Sequence, residues 1–300
     1  LKIYSILLFF ILSFGRLFCQ HTFSIVAVDT ITGEIGSAGA TCGDSIIWPA
    51  TPGTYIISDI LPGVGAFNQA MKLIKDKFKY PDLQRVENEL GRFYIDSRGQ
   101  EVPSVTNVLS STSDQSGIDE WKRRVGHEEA ERILQESSSI GSNVHNALEY
   151  YLQDKEWEIF DDGSYISKTS IRILESFINN LVTDINEVWG LESGLILDGL
   201  YAGTADCIGI YNGEESLIDF KTAKKVKPKE WIEDYFLQGC AYANAHNVMF
   251  NSNIKQIVIL MVDRDSIFKE FIIQENEFKH LTEKWKKRLI LFDKKYNKRS

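Results

Sequence analysis

Cysteine is scarce in this chain. Cys19, Cys42, Cys207 and Cys240 are the only four in 300 residues. They show neither CxxC spacing nor the density of a disulfide scaffold, which excludes a small cross-linked domain and a zinc ribbon. Cys207 and Cys240 suit a reduced, intracellular protein. A net positive charge is also lacking: 33 Lys and Arg stand against 42 Asp and Glu, a formal charge of -9. On that number alone a nucleic-acid partner is disfavoured. Internal repeats and low-complexity tracts are absent, so neither a solenoid nor a disordered tail is expected. The apolar run Ile3–Phe14, between Lys2 and Arg16, is too short to span a bilayer comfortably and has the form of a signal-peptide core. What remains is globular: 43% hydrophobic and 25% charged residues call for a packed core.

Charge is nearly missing from the front of the chain. Before Met71 the charged residues are Lys2, Arg16, Asp29, Glu34, Asp44 and Asp59. Behind it, Lys221, Lys224, Lys225, Lys227 and Lys229 form one basic cluster. Lys284, Lys286, Lys287, Arg288, Lys294, Lys295, Lys298 and Arg299 form another. Local patches of this kind hold phosphates even where the sum is negative. In the front part, Thr22–Gly39 reads as two strands joined at Thr32–Gly33. That segment, with Ile57–Ala70, resembles the start of a secreted family with an Ntn-hydrolase-like fold. Activity of that type implies a nucleophile at a processed N-terminus, Thr22 for instance, and a completed two-sheet sandwich, which nothing after Ala70 supplies. Met71 then reads like a fresh protein start. The expected division is a signal-like segment at 1–20, partial strands at 21–70 that form no independent domain, and an unrelated domain at 71–300. The first piece implies export and the last a cytoplasmic protein with no membrane anchor.

Residues 71–300 read as an α/β layer structure. A hairpin over Tyr94–Val102 turns at Ser97–Gly99. Ile118–Gln135 and Ser139–Leu152 are helices, and so is Ser170–Val188, with Ile171, Leu174, Ile178, Leu181 and Ile185 on one face. The period then changes to two. Trp189–Leu197, Gly199–Tyr211 and Glu215–Thr222 are strands, the last two joined by the hairpin signal Asn212–Gly213. A helix from Pro228 to about Asn247, strands Lys255–Val262 and Phe268–Ile273, and a basic helix Glu275–Tyr296 complete a mixed sheet flanked by helices.

The chemistry concentrates in GTADCIGIYNGEESLIDFKT, Gly203–Thr222. Residues two apart on a strand share a face, so Asp219 and Lys221 point together, while Phe220 between them points away. Asp206 lies across the hairpin. A D-x-K pair is most often a solvated ion pair on a strand. Here, though, Asp219 follows the core-like Ser216-Leu217-Ile218, and aspartate is a poor strand residue. Two converging carboxylates resist joint ionisation, and a divalent cation resolves the conflict. His145 and Glu149, four apart, share a helix face, as do Gln238 and Tyr242.

In order, G-x-x-V-H-x-x-L-E, G-T-x-D, D-F-K and Q-x-x-x-Y resemble the RecB-like branch of the PD-(D/E)XK nucleases. Within it the likeness is to the mitochondrial genome maintenance exonucleases and their phage-borne relatives. It runs from about Pro103 to Phe292 and includes Pro103–Thr106, the Trp121-Lys122 helix and Glu192. Phe220 stands where the family has tryptophan, at a position read as outward. The resemblance implies an αβββαβ nuclease core and a metal-dependent exonuclease that cuts single-stranded DNA from free ends, in replication, repair or processing. It makes Asp206, Asp219, the Phe220 backbone carbonyl and His145 ligands of Mg2+, for which Mn2+ substitutes. Glu192 holds a second metal or its water, and Lys221 orients or deprotonates the attacking water. Gln238, Tyr242, Glu149, Lys224 and Lys225 serve the substrate. The four-cysteine pattern of cluster-bearing relatives is missing, so no iron–sulfur cluster is expected. Tyr150, Tyr151, Trp231 and Tyr235 are candidates for base stacking, with core packing the commoner role. Rival readings are an exported Ntn-hydrolase-like protein carried by residues 1–70, and a non-catalytic DNA-binding module, which would lack one of Asp206, Asp219 and Lys221.

Overall fold

The structure, a computed structural model, describes residues 22–28, 35–41, 58–61, 65–68, 72–74, 77–155, 157–181 and 184–296. The chain divides into two units. One contains two antiparallel hairpins. Strand β1 (Thr22–Val28) pairs with β2 (Ile35–Thr41), Thr22 opposite Thr41, and β3 (Ser58–Leu61) pairs with β4 (Gly65–Asn68). The expected two strands in Thr22–Gly39 are thus present, while the turn at Thr32–Gly33 and the signal-like segment lie outside the described residues.

The second unit is built on a six-stranded mixed sheet. Its chain order begins with β5 (Lys72–Leu73), a small three-stranded sheet of β6 (Arg85–Asn88), β7 (Gly91–Ile95) and β8 (Glu101–Pro103), and α1 (Val105–Thr112). Then follow α2 (Ser116–Val125), α3 (His127–Leu152), α4 (Tyr165–Leu181), β9 (Ile185–Leu197), β10 (Tyr201–Tyr211) and β11 (Glu214–Ala223). Helix α5 (Glu233–Phe250), β12 (Gln256–Asp263), β13 (Phe268–Ile273) and α6 (Glu275–Tyr296) close the chain. The large sheet runs β13-β12-β11-β10-β9-β5, with β11 and β12 parallel across α5 and β9, β10 and β11 antiparallel. This is the expected mixed sheet flanked by helices. Asn212 and Gly213, both at positive φ, make the two-residue turn between β10 and β11 that their chemistry demands.

Both faces of the sheet are covered. Helices α3 and α4 bury Ile140, Val144, Phe177 and Ile178 against Ile218, Phe220, Val258 and Leu260. On the other face α1, α5 and α6 cover Leu217, Ile257, Ile259 and Met261. Every residue of β12 is buried, as befits an unbroken apolar strand inside a two-sided layer. Arg288 of α6 ties α1 into this face: it donates to the Leu109 carbonyl at 2.7 Å and Ser113 Oγ at 2.6 Å, and pairs with Asp234 at 3.1 Å. That member of the basic C-terminal cluster is therefore structural.

Four elements differ from expectation. The helix before Gly141 is not separate: α3 runs unbroken from His127, and the break falls at Gly126, whose φ of +90° admits few other residues. Helix α4 begins at Tyr165, and Ile185 and Val188 belong to β9, where Ile185 pairs with Tyr211. Residues Val105–Thr112, to which the sequence pattern assigned no element, form α1, capped by Ser104 Oγ accepting from the Asn107 N–H at 3.0 Å. Phe220 is not outward. It points away from Asp219, but into the core beneath α3 and α4, edge-on to Phe177 at 5.8 Å.

Residues ahead of Pro103, where the family resemblance begins, also join this unit. Lys72 and Leu73 pair in parallel with Glu187 and Val188. Phe78 and Tyr80 pack with Trp189, His246 and Phe250, and the Tyr80 hydroxyl lies 3.1 Å from His246 Nε2. His246 is fully buried there, and burial drives its pKa down to about 4, so it stays a neutral core histidine.

Candidate metal centre

The site forms where two strands part. The β10–β11 ladder ends at Cys207 opposite Ile218. Beyond it the Phe220 N–H donates instead to Asp206 Oδ2 at 3.0 Å, so the Asp206 carboxylate fills the gap between the strands. The N–H and C=O of a strand residue face the same neighbour, so the Phe220 carbonyl faces this gap too. On the other side of β10, Asp206 stands opposite Glu192, between the pairs Ala205–Ser193 and Cys207–Leu191. Glu192 has a φ of +43°, a conformation costing of order 1 kcal/mol or more for a residue with a Cβ.

Helix α3 brings His145 over the gap, its Nδ1 3.6 Å from Asp206 Oδ2. One ligand atom from each of His145, Glu192 and Asp206 lies within 4.8 Å of the others, spacing that suits a metal ion. A cleft of 610 Å³ opens above them, lined by Gly141, Ser142, His145, Asn146, Glu149 and Glu192. Beside this triad Asp219 is buried to 2% exposure, and Lys221 Nζ approaches its Oδ2 at 2.5 Å. That oxygen has no hydrogen-bond partner in spite of the ion contact. A buried carboxylate coupled electrostatically to Lys221, Asp206 and His145 fits the chemistry of a cation site, although Asp219 is not one of the three residues with metal-ligand spacing.

The charges are strained accordingly. Burial raises the Asp219 pKa, and neighbouring Asp206 adds to the rise, against the pull of Lys221. Burial opposes the Lys221 ammonium, but Asp219 and Asp206 outweigh it and its pKa is raised, so it stays protonated at neutral pH. Glu192 opens to solvent on one side. The protein packed about the rest of it, then Asp206, Glu149 and Asp219, push its carboxyl up to about 7. Three carboxylates that share so little compensating charge favour a bound cation.

Helix α5 supplies the floor. Its Tyr242 is buried, with Gln238 in hydrogen-bonding reach of the hydroxyl, and burial raises the phenol pKa. The ring lies against Gly203, where an added Cβ would sit 2.7 Å from the Tyr242 hydroxyl. This accounts for the glycine at the head of G-T-x-D. Tyr235, on the same α5 face three residues before Gln238, was not singled out as a partner of Lys221. Its ring centroid is 5.2 Å from Lys221 Nζ, and its hydroxyl accepts from Lys227 at 3.0 Å. The spacing 235, 238, 242 carried that signal.

The remaining expected residues divide. Glu149 lines the cleft and accepts from Gln153 at 2.8 Å. Lys224 lines a separate small cavity with Ser137, Thr222 and Arg264, and Lys225 is ion-paired with Asp265. Lys229 and Lys284 are likewise paired, with Glu277 and Glu233, so much of the basic clusters is already neutralised. Tyr151 is core, whereas Tyr150 and Trp231 are exposed. Cys207 and Cys240 are buried free thiols, and burial raises both. No helix among the described residues is long and apolar enough to cross a membrane.

No family model matches the chain. Human mitochondrial genome maintenance exonuclease 1 is 30% identical over 177 residues, 55% of this chain and 50% of the human protein. The Xenopus tropicalis protein of the same name is 30% identical over 213 residues, 65% of this chain and 58% of its own. The chain thus spans about half the length of the curated relatives it matches. Among solved structures, an alkaline exonuclease from Laribacter hongkongensis aligns at 12% identity and a TM-score of 0.24, over 53% of this chain and 86% of that one, an overlap too low to bear on the fold. By sequence, this chain is similar to the mitochondrial genome maintenance exonucleases, the likeness to which its ordered motifs point.

Proposed function

We propose that this protein is a metal-dependent exonuclease that hydrolyses phosphodiester bonds of single-stranded DNA from a free end. The observation that carries this reading is the meeting of His145, Glu192 and Asp206 beside the Asp219–Lys221 ion pair. Asp206, Asp219 and His145 would hold the divalent ion, with the Phe220 carbonyl alongside and Glu192 at the cleft edge. Carboxylate and carbonyl oxygens favour Mg2+ or Mn2+. A bound ion of this kind supplies Lewis-acid polarisation of a phosphoryl oxygen and lowers the pKa of water.

The chain's own groups do the rest. Lys221, held as an ammonium, is placed to offset negative charge gathering on the phosphoryl oxygens, an electrostatic role. Tyr235 and Asp219 fix its direction from two sides. Tyr242, wedged on Gly203, holds α5 against the strand that bears Asp206.

End-labelled oligonucleotides test the reading, with magnesium, manganese and chelator arms on single strands, blunt duplexes and closed circles. Rapid metal-dependent loss of the single strand, weakening as salt rises, is the expected result. Nicking of closed circles would instead show an endonuclease, and cleavage undiminished by chelator would remove the metal.

A further inference from the structure

Helix α3 carries two neighbouring stripes. Ser142, His145 and Glu149 face the metal cleft. About 100° around the helix, Asn143, Asn146 and Tyr150 line a second groove of 330 Å³. The far wall of that groove is the segment Trp157–Phe160. Asn146 lines both cavities, so the groove adjoins the cleft.

Its walls are aromatic, and they are open. Phe160 is 77% exposed and Tyr150 47%, on opposite sides. Trp157 is anchored from behind, edge-on to buried Tyr151 at 6.2 Å. Neither exposed ring has a core to serve. The charge of the lining restricts the occupant. Among the described residues, Glu158 is the one charged side chain lining the groove, which disfavours a phosphate there and suits a neutral planar ring. The cation lies at the edge: Lys155 Nζ is 5.6 Å from the Tyr150 ring centroid. Two carboxamides among the lining residues match the donor and acceptor edge of a base.

We infer that this groove receives an unpaired nucleobase of the strand whose phosphate occupies the cleft, stacked between Tyr150 and Phe160. This rests on the nuclease reading and adds to it a subsite that a duplex cannot fill, because a paired base is not free to leave its stack.

The test uses the full chain and two end-labelled single strands of equal length, one of them with a run of abasic residues near the free end. Wild type should cut the base-bearing strand about tenfold more efficiently, as the loss of one stacked base implies. Tyr150→Ala and Phe160→Ala should each erase that preference, mainly through KM, while Tyr150→Phe keeps it. Both positions are exposed, and unchanged melting temperatures will show that the fold is intact. Alanine variants that retain the wild-type preference would overturn the subsite and leave the nuclease reading standing. A wild type that cuts neither strand would end both. Should the groove instead seat a second copy of this chain, sedimentation would show a dimer that Phe160→Ala dissociates, again overturning the inference.

Discussion

The backbone N–H of Phe220 donates to the side chain of Asp206, replacing the ladder bond that β10 and β11 would otherwise make at that level. One carboxylate therefore does two jobs: it closes a gap in the sheet and it presents its remaining lone pairs to the cleft. Asp206→Asn keeps an acceptor for Phe220 while removing the charge. It should fold normally and lose cleavage by a factor of 100 or more, roughly 3 kcal/mol in the transition state. Asp219→Asn and Lys221→Ala should fall similarly, with DNA binding surviving in Lys221→Ala. Near-normal turnover in any of the three, measured with magnesium, would remove that residue from the machinery.

Metal affinity should rise with pH. Glu192, with its pKa near 7, and Asp219, also raised, hold protons in the metal-free protein that a cation must displace. The sign for stability follows. Because these folded-state values exceed the unfolded ones, the metal-free fold binds more protons than the unfolded chain between about 4.5 and about 7 for Glu192. Its stability should fall as pH climbs through that window. Calorimetric melts from pH 5 to pH 8, with and without manganese, check both parts: the metal should stabilise more at pH 8 than at pH 6, and Glu192→Gln should flatten the metal-free slope. A metal effect independent of pH would contradict this.

Gly203→Ala tests the packing of α5 on the strand that bears Asp206. The added Cβ would meet the Tyr242 ring at 2.7 Å, a distance that forces something to shift, at a cost of about 1–3 kcal/mol. Tyr242→Ala on the same background should recover much of the lost stability but not the activity. Additive losses in chemical denaturation would mean that the two do not touch.

A chain starting at Met71 should be soluble and as active as the full one. A chain starting at Pro81 lacks β5, Phe78 and Tyr80, and should be less stable in chemical denaturation by at least about 3 kcal/mol for the lost aromatic packing. Limited proteolysis of the full chain should cut between Thr51 and Asp76. Resistance there, or unfolding of the Met71 chain, would show that the two parts share a core.

Most of the candidate site's geometry was legible because its signals are local. Asn212–Gly213 fixes the β10–β11 hairpin, Asp219 and Lys221 share a face by the period of two, and His145 and Glu149 share one by helical spacing. What escaped depends on partners distant in sequence. Ile185 continues the apolar period of α4, yet pairing with Tyr211 claims it for β9. The two residues of β5 carry no pattern of their own and are strand only because Glu187 and Val188 lie beside them. Phe220 alternates correctly with Asp219 and Lys221, but alternation does not say that both faces of the sheet are covered. The cap at Ser104, by contrast, was readable: serine before Val105, Val108 and Leu109 at helical spacing opens α1.

The aromatic cluster around His246 sets an order of events in synthesis. Tyr80 and His246 are 166 residues apart in the chain. At about 5–20 residues per second, Tyr80 leaves the ribosome roughly 8–30 s before its histidine exists. Through that interval Tyr80 lacks His246 and Phe250, while β5 and Phe78 gain their partners Val188 and Trp189 earlier, as the β9–β10–β11 meander is made. The aromatic packing of Phe78 and Tyr80 is therefore among the last parts of this unit to be completed, when Phe250 has emerged. A slow, late-appearing resistance to protease confined to the stretch around Phe78 and Tyr80 during translation in vitro is the signature this predicts.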